Sequence, residues 1–287
     1  MPEVARIVVL DAGFGGLGVV AALDPTPERL PEPNAPTLSV HFINATPSNE
    51  LGFNQLPDDS ARLATLAAAL RRARAEGPDG VFVACNTLSA LLPALADPAP
   101  GIIEVGVDLL AEQLRAHPDE PVLLLGTETT VRNEAHRRGL DRLGLDTSRL
   151  EAVACPHLET CISRDPDGEA VQRAATVFLQ RGLERLGGRS PARIALFLGC
   201  THYGYRGERF AAALRSLGPE PRILNPNRAF AQRIRASLPA FEGLRVRFLS
   251  RYRPPREELE NVPRLLRPLS LATACAVDRG EWAPELF

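Results

Sequence analysis

The feature that most constrains this chain is a series of short, almost unbroken apolar runs separated by segments of helical spacing. The runs fall at residues 6–10 (RIVVL), 38–43 (LSVHFI), 80–84 (GVFVA), 102–105 (IIEV), 121–125 (PVLLL), 150–154 (LEAVA) and 194–198 (IALFL). Near-continuous apolarity, rather than polar–apolar alternation, is what a parallel strand needs when both its faces are covered. Helical patterns lie at 58–76, 107–117, 130–143, 169–186 and 207–217. The first of these begins with acidic residues and ends with arginines, as the helix dipole favours. Strand alternating with helix is the signature of an α/β fold built on doubly wound parallel sheets. With 287 residues, there is room for two domains of about 150 residues, or for one large one.

Composition closes several functional classes. The chain has no lysine, so all 33 basic residues are arginine. A pyridoxal phosphate enzyme needs a lysine for its Schiff base and a P-loop needs one for its phosphates. Basic and acidic residues nearly cancel, with a net charge of -2, which gives no electrostatic footprint for nucleic acid or membrane. Aromatic residues, at 5%, are too sparse for base-stacking platforms. No apolar run is long enough to span a bilayer, and Met-Pro-Glu leads straight into a strand pattern rather than a signal peptide. The five cysteines (Cys85, Cys155, Cys161, Cys200, Cys275) are scattered singly. That pattern fits reduced thiols in a cytoplasmic protein and offers no structural zinc site.

Two of the apolar runs end in a cysteine followed by small polar residues: VFVACNT at 81–87 and IALFLGCTH at 194–202. Open α/β sheets hold ligands at the carboxyl ends of their strands. The Asn or Thr that follows each cysteine offers donors suited to a carboxylate. A single strand-end cysteine is more often a small core residue, but the same arrangement occurring twice points to chemistry. Two opposed thiols suit proton transfer on both faces of one carbon. His202, two residues past Cys200, is positioned to exchange a proton with a thiol or lower its pKa. Thr127 and Thr130, after the PVLLL run, can turn both hydroxyls into one pocket, although Thr127 also fits a helix N-cap.

The stretch from Asp11 to Gly18 (DAGFGGLG) satisfies a dinucleotide-binding glycine pattern through Gly13, Gly15 and Gly18. Asp11 at the strand end would repel a pyrophosphate, and the second strand ends in Asn44 where a ribose-binding acid is needed. The glycines therefore read as a loop that lets backbone approach a small anionic ligand, with Asp11 available for acid–base or ammonium contact.

At these residues the sequence resembles the aspartate/glutamate racemase family, and most closely its glutamate-specific branch. The matching pieces are DAGFGGLGV (11–19), ACNTLSA (84–90), GTETTVRN (126–133), ACP around Cys155 and LGCTHY (198–203). The resemblance implies two similar α/β domains facing each other across the active site, the first formed by residues 1–98 and 214–287 and the second by 99–213. It implies a cofactor-independent racemase that interconverts L- and D-glutamate, in a role that supplies D-glutamate for peptidoglycan. Cys85 and Cys200 would transfer the proton, assisted by Asp11 and His202 respectively. Asn86, Thr87 and Thr201 would hold the α-carboxylate, and Thr127 and Thr130 the side-chain carboxylate. Family members are often homodimers, and the resemblance allows one here.

Some positions depart from the family pattern. Ala12 stands where a serine hydroxyl is usual beside the substrate amine, Leu51-Gly52 where Tyr-Gly is usual, and Ser163 where a glutamate is usual. The tail after Arg251 is longer than the family's and does not resemble it. Aspartate or a hydantoin as substrate, or a catalytically weak binding or regulatory role, are the alternatives these changes raise.

Overall fold

The computed structural model describes residues 3–49, 51–187 and 191–287. Two parallel sheets organise it. The chain first lays down β1 (Glu3–Asp11), β2 (Thr37–Asn44) and β3 (Gly80–Val83), then β4 (Val122–Gly126), β5 (Leu150–Ala154), β6 (Arg193–Gly199) and β7 (Glu220–Leu224), and returns with β8 (Gly243–Ser250) and β9 (Glu281–Trp282). The first sheet has the order β3-β1-β2-β8-β9 and the second β5-β4-β6-β7. All recorded pairings are parallel.

The central strands carry the continuous burial that their composition demands. Ile7, Val8, Val9 and Leu10 of β1 are fully buried, as are Leu123 and Leu125 of β4 and Ile194 to Phe197 of β6. Parallel strands need crossovers, and here α1 (Leu17–Ala21) with a long loop, then α2 (Asp59–Ala75), supply them in the first sheet. Asp58 starts α2 by accepting the Ala61 N–H at 2.8 Å, a cap that satisfies an orphan donor of the first turn. After β3 come α3 (Asn86–Ser89) and α4 (Ile102–Ala116); α5 (Glu128–Asn133), α6 (Ala135–Arg142), α7 (Leu158–Arg164), α8 (Glu169–Arg185) and α9 (Gly207–Ser216) surround the second sheet. Then α10 (Pro226–Ala236) packs against both α1 and α4, and α11 (Arg256–Leu266) and α12 (Leu271–Asp278) close the chain over β8 and α7.

Three expectations change. The run 102–105 is the first turn of α4, whose buried Ile102, Val105, Gly106 and Leu110 repeat at helical spacing; a four-residue apolar run cannot by itself distinguish strand from buried helix. The helical pattern 130–143 breaks at Glu134, which adopts a left-handed conformation (φ 52°) between α5 and α6. The return to the first domain expected at residue 214 falls inside α9, and β7 beyond it pairs with β6, so the second sheet runs on to Leu224.

Both sheets share one construction. In the first, β1 is flanked by β2 and β3; in the second, β4 is flanked by β5 and β6. In each case the chain steps to one side of its first strand and then crosses to the other, making a topological switch point where ligands bind in open α/β sheets. Cys85 follows β3 and Cys200 follows β6. The two cysteines therefore occupy equivalent positions in two similarly wound sheets.

Candidate active site

At the switch point of the first sheet, Asp11 ends β1 with 1% exposure. Its carboxylate accepts the Thr201 hydroxyl of the second sheet's region at 2.9 Å. The Cys85 thiol and the backbone N–H groups of Gly16 and Ala12 also donate to it. Burial outweighs these donors and pushes the Asp11 pKa up to about 6. Cys85 stands at the start of α3, and the N–H groups of Leu88, Ala12 and Thr87 point at its sulfur. Burial, reinforced by the Asp11 charge, nevertheless holds the thiol well above the usual range, so it is protonated in the empty site.

The second sheet presents its thiol differently. Cys200 leads into a 3-10 turn, Thr201–Arg206, and its Sγ lies 3.8 Å from His202 Nδ1. Burial again raises the thiol, and the charges of Glu159 and then Cys85 oppose its ionisation further, against the help of the His202 N–H. Burial also lowers the His202 pKa to about 4, so the imidazole is neutral. Asn227 on α10 steadies this turn by donating Nδ2 to the Thr201 carbonyl at 2.9 Å.

The glycine loop packs against this turn. A Cβ on Gly15 would overlap the Thr201 hydroxyl and stand 2.6 Å from the His202 backbone nitrogen; one on Gly16 would stand 2.7 Å from an Asp11 oxygen. Glycine is needed here because the two halves of the molecule meet backbone to side chain. The Tyr205 hydroxyl adds a tie across the same seam, donating to the Phe14 carbonyl at 2.8 Å.

A cavity of about 460 Å³ opens beside the seam, walled by Ala12, Asn44 and Thr46 on one side and Thr127, Glu159 and His202 on the other. Cys85 and Cys200, each 7% exposed, lie behind this wall, in contact with Ala12 and His202 respectively. Asn86 is buried, and neither its Oδ1 nor its Nδ2 has a partner. An unpaired buried amide is costly, and a bound carboxylate would satisfy the donor. Thr87 meets Thr127 oxygen to oxygen at 2.8 Å and Thr130 at 3.4 Å, while Thr127 and Thr130 are 3.0 Å apart. Thr127 is also the N-cap of α5, accepting the Thr130 N–H at 3.3 Å. These three hydroxyls form one cluster, closer together than their separate assignment to two ends of a substrate suggests.

One residue escapes the sequence reading: Glu159, on α7, partly buried in the cavity wall. It lies one helical turn before Ser163, so the two share a face; searching one turn back from the departing serine would have found it. Tyr252 and Glu258, from the tail, also reach the cavity, and Glu258 accepts from Arg164 Nε at 2.9 Å. Among the described residues there is no cluster of three His, Cys, Asp or Glu side chains able to hold a metal ion, and no helix long and apolar enough to cross a membrane.

Comparison with known proteins agrees with this architecture. Residues 32–234 match the family model described as Asp/Glu/hydantoin racemase. Glutamate racemase of Koribacter versatilis (strain Ellin345) is 32% identical over 203 residues, which is 69% of this chain and 63% of that protein. This chain thus matches somewhat under two thirds of that relative's length. The crystal structure of glutamate racemase from Francisella tularensis subsp. tularensis SCHU S4, in complex with D-glutamate, superposes with a TM-score of 0.65 at 18% identity, covering 92% of this chain and 94% of the other. Glutamate racemase from Bacillus anthracis superposes with a TM-score of 0.63 at 21% identity over 92% and 93% of the two chains. The structural matches share the α/β fold with its two parallel sheets, and on the strength of the match across residues 32–234 this chain belongs to the Asp/Glu/hydantoin racemase family.

Proposed function

We propose that the protein is a cofactor-independent amino-acid racemase that moves an α-proton between Cys85 and Cys200, with glutamate the first substrate to test. The observation that carries this reading is the pair of thiols at equivalent switch points, joined through Asp11 and Thr201. Inversion requires one base to remove the proton and an acid on the opposite face to return one. A thiolate at one cysteine takes the α-proton as its S–H bond forms, leaving the electron pair on the α-carbon and its carboxylate. The thiol of the other cysteine then gives its proton to the opposite face and becomes the thiolate.

Ionisation of both sulfurs together is disfavoured, since the Cys85 charge opposes that of Cys200; one thiolate facing one thiol is the state the reaction needs. Asp11 accepts from Cys85 and His202 stands beside Cys200, so each sulfur has its own proton acceptor. The unpartnered Asn86 amide, with Thr87, supplies donors for the α-carboxylate and for the charge that builds on it, while the Thr201 hydroxyl is held by Asp11. Thr127 and Thr130 are suited to a second carboxylate. The relatives named glutamate racemase favour glutamate. Ala12, Leu51 and Ser163 all line the cavity, which keeps aspartate or a hydantoin as the alternative substrates. In a cell the product would be the D-amino acid, D-glutamate serving peptidoglycan synthesis. Incubation in D₂O decides: deuterium entering the α-position of glutamate is expected, and entry into none of the screened substrates would leave only a binding role.

A further inference from the structure

The cavity wall carries three carboxylates, and they are not alike. Glu258 is paired with Arg164 at 2.9 Å. Glu128, in the first turn of α5, is exposed to water. Glu159 is partly buried and, among the described residues, forms no ion pair. Its own backbone N–H donates to it, the nearby His157 favours its charge, and burial together with Glu128 opposes it. A carboxylate drawn away from water needs a cation or a full set of donors, and the chain provides neither. Asp11, the other acid near the thiols, already has four donors and lies off the cavity wall.

Ala12 sharpens the point. A free amino acid brings a charged ammonium group on the carbon that reacts, yet the residue after Asp11 offers it only a methyl group at the cavity surface. The Ser163 hydroxyl is not available either, because it donates back to the Glu159 carbonyl at 3.1 Å within α7. Resting on the racemase reading above, we infer that Glu159 is the seat of the substrate's α-ammonium group, which restricts this site to free α-amino acids and excludes hydantoins. The nitrogen on the reacting carbon of a hydantoin is acylated and uncharged, and it would leave the Glu159 carboxylate unpaired.

The pairing also serves the chemistry. Glu159 is the foremost charge opposing ionisation of Cys200, after burial itself. An ammonium group seated on it cancels that charge, so Cys200 is more readily ionised when substrate is bound than when the site is empty.

The test measures α-proton exchange in D₂O with glutamate and aspartate, for the wild type and for Glu159→Gln, alongside competition by 2-hydroxyglutarate, whose neutral hydroxyl replaces the ammonium. The expected result is a KM raised roughly 10- to 100-fold in the variant, the range for losing a charged hydrogen bond, with a smaller change in kcat. The wild type should prefer glutamate to 2-hydroxyglutarate by at least about tenfold, and the variant should lose most of that preference. An unchanged KM, equal binding of the two compounds by the wild type, or exchange into a 5-substituted hydantoin would each overturn the inference. Thermal melting checks that the variant folds, and the wild-type competition decides if it does not. Exchange into glutamate that ignores Glu159→Gln defeats this assignment alone, whereas a wild type that exchanges no substrate defeats the racemase reading beneath it.

Discussion

The two strand-end thiols are the same device placed in two electrostatic settings. Each cysteine follows the third strand of its sheet, at the switch beside the first strand. Each is 7% exposed and raised by burial. Beside Cys85 the ionisable partner is a carboxylate, Asp11, that burial brings up to about 6; beside Cys200 it is an imidazole, His202, that burial brings down to about 4. Burial works on both by disfavouring charge, which leaves His202 neutral and brings Asp11 only to within reach of protonation near neutral pH. The comparison teaches that a repeated backbone plan can fix where two sulfurs sit while local side chains set how each handles a proton.

The strongest way to break this comparison is to remove one sulfur at a time. Cys85→Ser and Cys200→Ser should each lower racemisation by about 10²–10⁴, because serine is far less acidic and general acid–base groups contribute on that scale. Polarimetry on each enantiomer is the check; near-normal turnover in either variant would mean that the thiols are not equal partners. A smaller effect separates their helpers. Asp11→Asn and His202→Asn should each cost roughly 10- to 100-fold, unequally for the two starting enantiomers and with opposite bias. An identical loss in both directions would mean that the helpers are not divided between the sulfurs.

Acid should act oppositely on the two halves. His136 and His202, both in the second half, are held by burial at about 4, below the usual 6.5 of an unfolded histidine. Their contribution to stability is complete above pH 6.5 and is lost as pH falls from there toward 4, about 3 kcal/mol for each. Asp11, with its pKa raised from 3.8 to about 6, binds its proton more tightly when folded, so it returns about 3 kcal/mol over pH 6 to 4. The balance is a net loss of about 3 kcal/mol. Urea unfolding at pH 7, 5.5 and 4.5 should show it, and His136→Asn should flatten the acid limb. The smallest expected effect belongs to Thr127→Val, which removes the α5 cap and should cost about 1 kcal/mol, read as a lower melting temperature.

Much of this was legible in the residues because strand and cysteine adjoin in the sequence. VFVAC and IALFLGC announce both a buried strand and what stands at its end; His202 follows the second by two residues, and Asp11 ends a strand run of its own, RIVVLD. Contacts that join distant segments were hidden. Thr87 meeting Thr127 and Thr130 depends on how the two sheets face each other, which no local pattern encodes. The strand β8 was missed for another reason. Leu244, Val246 and Phe248 alternate with Arg245 and Arg247, a period-2 pattern of a strand with one wetter face, and a search tuned to unbroken apolar runs passes over it. Its partner β2 lies some 200 residues earlier in the register Thr37 to Gly243, so nothing nearby betrays the pairing. Glu159 is hidden in the sequence because the family pattern points to Ser163, whereas a helix presents the same face one turn away.

The absence of a side chain at Gly15 has a mechanical consequence. With Thr201 and His202 resting directly on that backbone, the floor of the cleft is pinned where the sulfurs are held. A side chain at Gly15 would push the Thr201–His202 turn off the glycine loop and so part the two strand ends that carry the cysteines.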